Sequence, residues 1–122
     1  MPTAGRPDIE SFLPLKPPIL HILLALHGAA RHGYGIIQRV ETQSGGTITL
    51  PTGAFYRHLA WLLQNGLLEE SPDRPVDADT RRGSYYRLTP LGERVLAAEG
   101  GRMKDVLSVI EEAGVLPQHR TA

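Results

Sequence analysis

The chain contains no cysteine, one tryptophan, two phenylalanines and no surplus charge of either sign among its 122 residues. Without cysteine there can be no disulfide framework, no thiolate zinc site and no cysteine nucleophile. Nowhere do about 18 apolar residues follow one another, so no segment reads as a membrane span. The opening residues, Met1 to Asp8, lack the charged-then-apolar order of a secretion signal, and a soluble cytoplasmic chain is the expectation. Five histidines invite a metal, but His21 and His27 are six apart, which places them on different helix faces, and His32 and His58 fall on separate elements. No ligand spacing results. A glycine-rich phosphate loop and a serine nucleophile elbow are likewise missing, and the carboxylates gather on one loop. We therefore read the chain as a non-enzyme without cofactor or metal.

The balance of 13 basic against 13 acidic residues weighs at first against a nucleic-acid partner. Its distribution is uneven. From Pro17 to Leu68 the charges are Arg31, Arg39 and Arg57 against Glu41 alone, with His21, His27, His32 and His58 able to add to them. Glu69, Glu70, Asp73, Asp77 and Asp79 then precede a basic cluster at Arg81, Arg82 and Arg87. The remaining acids mostly follow Thr89 or lie in the first ten residues.

A chain of this length can bury one modest core. Residues 1–15, rich in proline and polar groups, read as an arm that docks through Ile9, Phe12, Leu13 and Leu15. Pro17-Pro18 opens a first helix that ends near Gly28, since proline is tolerated in the first helical turn. Its apolar residues nearly encircle the axis, which predicts burial on more than one side, for example against a second subunit. A turn at His32-Gly33-Tyr34-Gly35 leads into a second helix with Ile36, Ile37 and Val40 on one face and a stop at Gly45-Gly46. The β-branched run Thr47 to Leu50 suggests a short strand. Thr52 is expected to cap a third helix through its hydroxyl, with Phe55, Leu59 and Leu62 at i, i+4 and i+7 and Gly66 as its end.

Leu67 to Glu70 and Ser84 to Thr89 look like two strands of a long hairpin. Thr89-Pro90 signals a last helix whose apolar face runs through Leu91, Val95 and Leu96 as far as Gly100-Gly101, then resumes at Met103, Val106, Leu107 and Ile110. The predicted fold is mainly α with a small β-hairpin, a winged helix-turn-helix followed by a C-terminal helix. Its divisions are an arm over 1–15, the winged helix over 16–90, a dimerisation helix over 91–115 and a frayed tail over 116–122.

Three segments carry a specific resemblance. Leu50-Pro51-Thr52-Gly53-Ala54-Phe55-Tyr56-Arg57-His58-Leu59, with Leu62 and Asn65-Gly66-Leu67-Leu68 after it, resembles the recognition helix of PadR-type transcriptional regulators and its exit into the wing. Arg81-Arg82-Gly83-Ser84-Tyr85-Tyr86-Arg87-Leu88-Thr89-Pro90-Leu91-Gly92 is similar to that family's second wing strand and last helix start. His32-Gly33-Tyr34-Gly35-Ile36 adds a shorter match. The resemblance implies a DNA-binding regulator of the short type, dimeric through a single C-terminal helix. The chain departs from the family at Ala54, where threonine is usual, and at Arg57, which replaces a small residue or proline. Its hairpin connection is acidic through Asp73, Asp77 and Asp79.

In a helix-turn-helix protein the third helix enters the major groove while surrounding groups hold phosphates. With Phe55, Leu59 and Leu62 turned inward, Gly53, Arg57, Ala60 and Gln64 face outward and Tyr56 and Trp61 lie on the flanks. Candidate DNA contacts are thus Tyr34, Thr52, Gly53, Ala54, Tyr56, Arg57, Arg81 and Arg82. Arg57 can bond a guanine edge through two parallel hydrogen bonds, or it is a solvated or phosphate-bound surface residue. Gly53 permits close backbone approach, or simply turns the chain. Tyr34 and Tyr56 either donate to phosphate or pack beside the core, and Arg81 and Arg82 either hold phosphate or pair with the nearby aspartates. Tyr86 and Leu88 alternate into the core.

Trp61 is expected to pack against the arm or another helix. The alternative is a site between subunits for a small planar aromatic effector, as in some relatives. Dimerisation is assigned to Ile19, Leu20 and Leu23 on the first helix and to Met103, Val106, Leu107 and Ile110 on the last. The expected partners are double-stranded DNA and a second copy of the chain, with no membrane. A rival reading keeps the winged helix but makes it a protein-interaction module that binds no DNA.

Overall fold

In the computed structural model, which describes residues 8–72 and 83–117, the elements follow in the order of a winged helix. A 3-10 turn (Ile9–Phe12) precedes α1 (Pro17–Ala25), β1 (Arg31–His32), α2 (Gly33–Gln43), α3 (Thr52–Gln64), β2 (Leu68–Ser71), β3 (Tyr85–Leu88) and α4 (Pro90–Ala113). The three strands form one antiparallel sheet in the order β1-β3-β2. Leu68 faces Leu88 and Ser71 faces Tyr85 across the hairpin, while Arg31 faces Tyr86 on the other edge of β3.

Several local signals act as the sequence predicts. Pro17 and Pro18 occupy the first turn of α1. The Thr89 hydroxyl accepts the Gly92 N–H at 3.0 Å and Pro90 follows at the first helical position, so α4 starts with an orphan donor satisfied. Gly45 and Gly46 take φ of 62° and 81° after the end of α2, a conformation costly for any residue with a Cβ.

Other details differ. Thr47 to Leu50 forms no strand; Leu50 alone of the four is buried, and β1 takes the free edge of β3 instead. The N-cap of α3 is Pro51, not Thr52, and no side chain caps that terminus. At α2 the capping group is the His32 ring, whose Nδ1 accepts the Gly35 N–H at 2.9 Å while its edge meets Tyr85 in a T-shaped contact. The last helix is continuous through Gly100-Gly101, as expected, and runs for 24 residues to Gly114, where φ of 68° stops it. In β3, Leu88 is buried and Tyr86 packs partly buried against the core, and Tyr85 is buried on the opposite side of the strand.

One apolar cluster joins the helices and the hairpin, from Leu15, Ile19, Ile22 and Leu23 through Ile36 and Val40 to Phe55, Leu59, Leu62 and Val95. Fully burying side chains of this size contributes about 1.5 to 3 kcal/mol each. The nearly all-round apolar surface of α1 is accommodated mostly inside the chain. Ile19 and Leu23, assigned above to a dimer interface, lie in the protein's own core, Leu20 is half-buried, and Leu24 is the exposed apolar residue of the helix.

The arm is fixed by a buried carboxylate. Glu99 of α4, 1% exposed, accepts the Leu15 N–H at 2.7 Å and the Nε–H of the exposed Arg102. The Arg102 hydrogen bond, and after it that of Leu15, hold the Glu99 carboxyl below its ordinary value against the opposing effect of burial. A folded value below the unfolded one means that this stabilisation is complete above the ordinary carboxylate range and is lost as pH falls through the folded value. Glu99→Ala, which orphans a buried N–H, is expected to cost about 2 kcal/mol at neutral pH. Glu99→Gln keeps an acceptor without the charge, so its thermal stability should fall less steeply below about pH 4.5 than that of the wild type. Parallel acid limbs in melting curves of the two proteins would refute this role.

Candidate nucleic-acid interface

The inward residues of α3 are those its spacing indicates: Phe55, Leu59 and Leu62 are buried. The opposite side is open. Thr52, Gly53, Tyr56, Arg57, Ala60 and Gln64 are exposed, while Ala54 is half-buried. Around Gly53 the one near side chain is Arg57, whose Nη1 would stand 3.8 Å from a Cβ placed there, so the guanidinium lies back along the first turn of its own helix. The helix start thus offers bare backbone and a cation on one surface.

One flank of this surface is aromatic. Tyr34 and Tyr56 are 58% and 52% exposed, high values for rings of this size, and each displays a phenol. The Tyr56 ring stands edge-on to Phe55 and its hydroxyl lies against the first residue of α2: a Cβ on Gly33 would be 3.2 Å from that oxygen and 3.3 Å from the Phe55 ring. The buried glycine therefore lets Tyr56 approach the first residue of α2, which Tyr34 follows in the chain, joining α3 to the start of α2. Behind them Tyr86 of β3 has its phenol pushed up, first by burial and then by Glu70 and Tyr56, against the lowering effect of its Ser84 hydrogen bond.

The wing supplies less. Arg87 is paired with Glu69 across the hairpin at 3.4 Å, and Arg31 donates from Nε to the Ala25 carbonyl at 2.7 Å. Arg81 and Arg82, with Asp73, Asp77 and Asp79, lie outside the described residues.

On the other flank of α3 sits a cleft of about 290 Å³ whose walls include Phe12, Lys16 and Ile19 from the arm and α1, and Arg57, His58 and Trp61 from α3. Trp61, 40% exposed, packs against the arm as expected, its ring 6.0 Å from Phe12 and nearly perpendicular to it. Burial, then the Arg57 and Lys16 charges, hold the His58 imidazole below its ordinary value. Lys16 and His58 were not legible as neighbours from the sequence. No local spacing relates them; they meet only because the arm folds back along α3.

No group of three or more metal-ligating side chains occurs among the described residues, and no helix among them is long and apolar enough to cross a membrane. The fold is similar to several solved regulators. A PadR-like transcription factor from Bacteroides fragilis is 22% identical, with a TM-score of 0.63 over 79% of this chain and 88% of that one. A PadR-like transcriptional regulator from Bacillus cereus is 15% identical, with a TM-score of 0.66 over 82% and 93%. The RosR protein of H. salinarum is 24% identical, with a TM-score of 0.59 over 86% and 99%. No curated protein matches the chain. The model of the transcriptional regulator PadR-like family matches residues 19–98, from the start of the first helix to the middle of the last, and the chain belongs to that family.

Proposed function

We propose that the chain is a sequence-specific DNA-binding repressor that acts as a homodimer on an inverted-repeat operator. The observation that carries this reading is the exposed face of α3, with a bare helix start at Thr52 and Gly53, Arg57 on the outward side and two exposed phenols on one flank. A cationic side chain on a helix of groove-filling diameter suits base edges, and phenols beside it suit phosphate.

Support for a homodimer lies in α4. Beyond Glu99 the helix leaves the body of the chain, and residues 101–109 are all exposed. Met103, Val106 and Leu107 remain 45–46% exposed and share a stripe with the half-buried Ile110. A second copy is the simplest cover for such a stripe, and a two-fold pair reads half-sites about one helical turn apart or a multiple of that. The half-exposed ring of Trp61 would offer a small aromatic effector a stacking surface at a site between subunits, from which it could release DNA.

Salt titration tests the reading against a protein-interaction module. Log affinity for duplex DNA should fall steeply with log salt as counterions are released. A protein that shifts no duplex even in low salt would belong to the rival class. Within the DNA reading, Arg57→Ala is expected to relax base choice, at a cost of about 1 to 3 kcal/mol on the preferred sequence, whereas Arg82→Ala weakens all sequences alike. Selection of bound fragments from a random pool distinguishes these effects; identical losses in both variants would undo the division of roles.

A further inference from the structure

We propose that the cleft between the arm and α3 is a seat for a DNA backbone phosphate, with Lys16 and His58 as the contacting groups and Arg57 at its rim. This rests on the DNA-binding reading above, but it concerns Lys16 and His58, to which that reading gives no role, and the strand of the duplex on their side of α3.

The argument begins with the geometry of a helix in a groove. An α-helix with its side chains is about 10 to 12 Å across and the major groove about 12 Å wide, so both flanks of an inserted helix meet backbone, one strand on each side. Tyr56 and His58 are two positions apart and so stand about 200° apart around α3, on opposite sides of its buried face. The flank of Tyr56 already holds two phenols. Its counterpart on the other side is the cleft lined by Lys16, Arg57 and His58.

The chemistry of that cleft favours an anion. Lys16 and Arg57 are close enough to act on the His58 ring, and both disfavour its protonated form. The cleft walls thus carry three basic side chains and no carboxylate. A phosphate would relieve this repulsion, accept from the Lys16 ammonium, and accept from either a neutral or a charged imidazole. Lys16 is also well placed to do so without ordering a loose segment. Its neighbour Leu15 is bonded through its main chain to buried Glu99, and Lys16 itself forms the N-terminal boundary of α1.

Phosphate contact predicts a specific signature. Lys16→Gln and His58→Gln should weaken binding to a random-sequence duplex of about three helical turns as much as to a selected one, since phosphate carries no sequence information. With one contact per subunit, Lys16→Gln should make the slope of log affinity against log salt shallower by about two and reduce affinity roughly tenfold in moderate salt. Lys16→Arg keeps the charge and should retain most of the affinity. Lys104→Gln, the same charge change on the exposed far half of α4, serves as the reference. Thermal melts of each variant show whether it is folded before its affinity is compared.

If the wild type binds duplex but Lys16→Gln matches Lys104→Gln in affinity and slope, the cleft is not a phosphate seat, whatever else binds there. If Lys16→Gln lowers affinity for one sequence only, the contact is to a base and the proposal also fails. Absence of any wild-type binding at low salt defeats the DNA-binding reading itself, and this outcome is distinct from the other two.

Discussion

Gly92→Ala is expected to lower the melting temperature by about 10 °C or more, corresponding to about 3 kcal/mol. A Cβ on Gly92 would lie 2.1 Å from the Leu67 carbonyl oxygen and 3.1 Å from its carbon, far inside van der Waals contact. Neither atom can swing aside, because both belong to the main chain of a fully buried residue. The same carbonyl also accepts the Thr89 N–H at 3.1 Å, so the chain entering α4 is tied to the atom that the new methyl would displace. Relief would require α4 to lift away from the junction of α3 and β2. Gly100→Ala makes the opposite prediction in the same helix. No atom lies within 4 Å of its Cβ position, so the variant should gain up to about 1 kcal/mol from helix propensity. Circular dichroism melts of the two variants should bracket the wild type, and a Gly92→Ala protein melting with the wild type would show that the contact yields easily.

Leu107→Glu should produce the largest functional loss. The residue is 45% exposed on a stripe with Met103, Val106 and Ile110, and a carboxylate there would have to be desolvated unpaired for two such helices to meet. On the proposed dimer, the variant should sediment as a monomer at concentrations where the wild type sediments as a dimer. Operator affinity should then fall by about 100-fold or more, because two linked half-site contacts become independent ones. Ser108→Glu places the same charge about 150° from the stripe and should leave the dimer intact. An unchanged dimer in Leu107→Glu would remove this helix from the interface.

The helices were legible because their boundaries are written locally. Thr89-Pro90 and Gly45-Gly46 act within a few residues of themselves, and Phe55, Leu59 and Leu62 repeat with the helical period. The strand expected at Thr47 to Leu50 was not found, since β-branched residues favour a strand only where a partner edge is available, and Arg31–His32 already occupies it. Two residues beside a glycine turn give no periodicity from which β1 could be read. Gly100-Gly101 interrupts the apolar stripe of α4 without ending the helix: about 1 kcal/mol lost at each glycine lowers helix propensity but does not stop a helix that has packing before it and apolar residues after it.

The candidate site divides in the same way. The outward face of α3 follows from its own sequence, and Trp61 could be expected to pack on the arm or another helix because an isolated exposed tryptophan is unfavourable; it packs on the arm. The neighbours of Lys16 could not be assigned, for they depend on a bond between Leu15 and Glu99, 84 positions apart. Of the two partners in that bond, Glu99 itself gave no warning, since a glutamate amid the charges of a long helix reads as solvated surface.

That bond has a consequence for how the protein can diverge. The arm contributes only a main-chain N–H at Leu15, which every residue except proline possesses. Exposed side chains along the arm can therefore be exchanged, altering the size and charge of the cleft, while this hydrogen bond to α4 persists; Leu15 itself, and Ile9, Phe12 and Leu13, pack in or against the core. The reverse does not hold, because the acceptor is a side chain. Mutational tolerance should accordingly be lopsided, with permissive exposed positions along the arm, a restrictive position 99, and Leu15→Pro as the one change at its end that breaks the hydrogen bond outright.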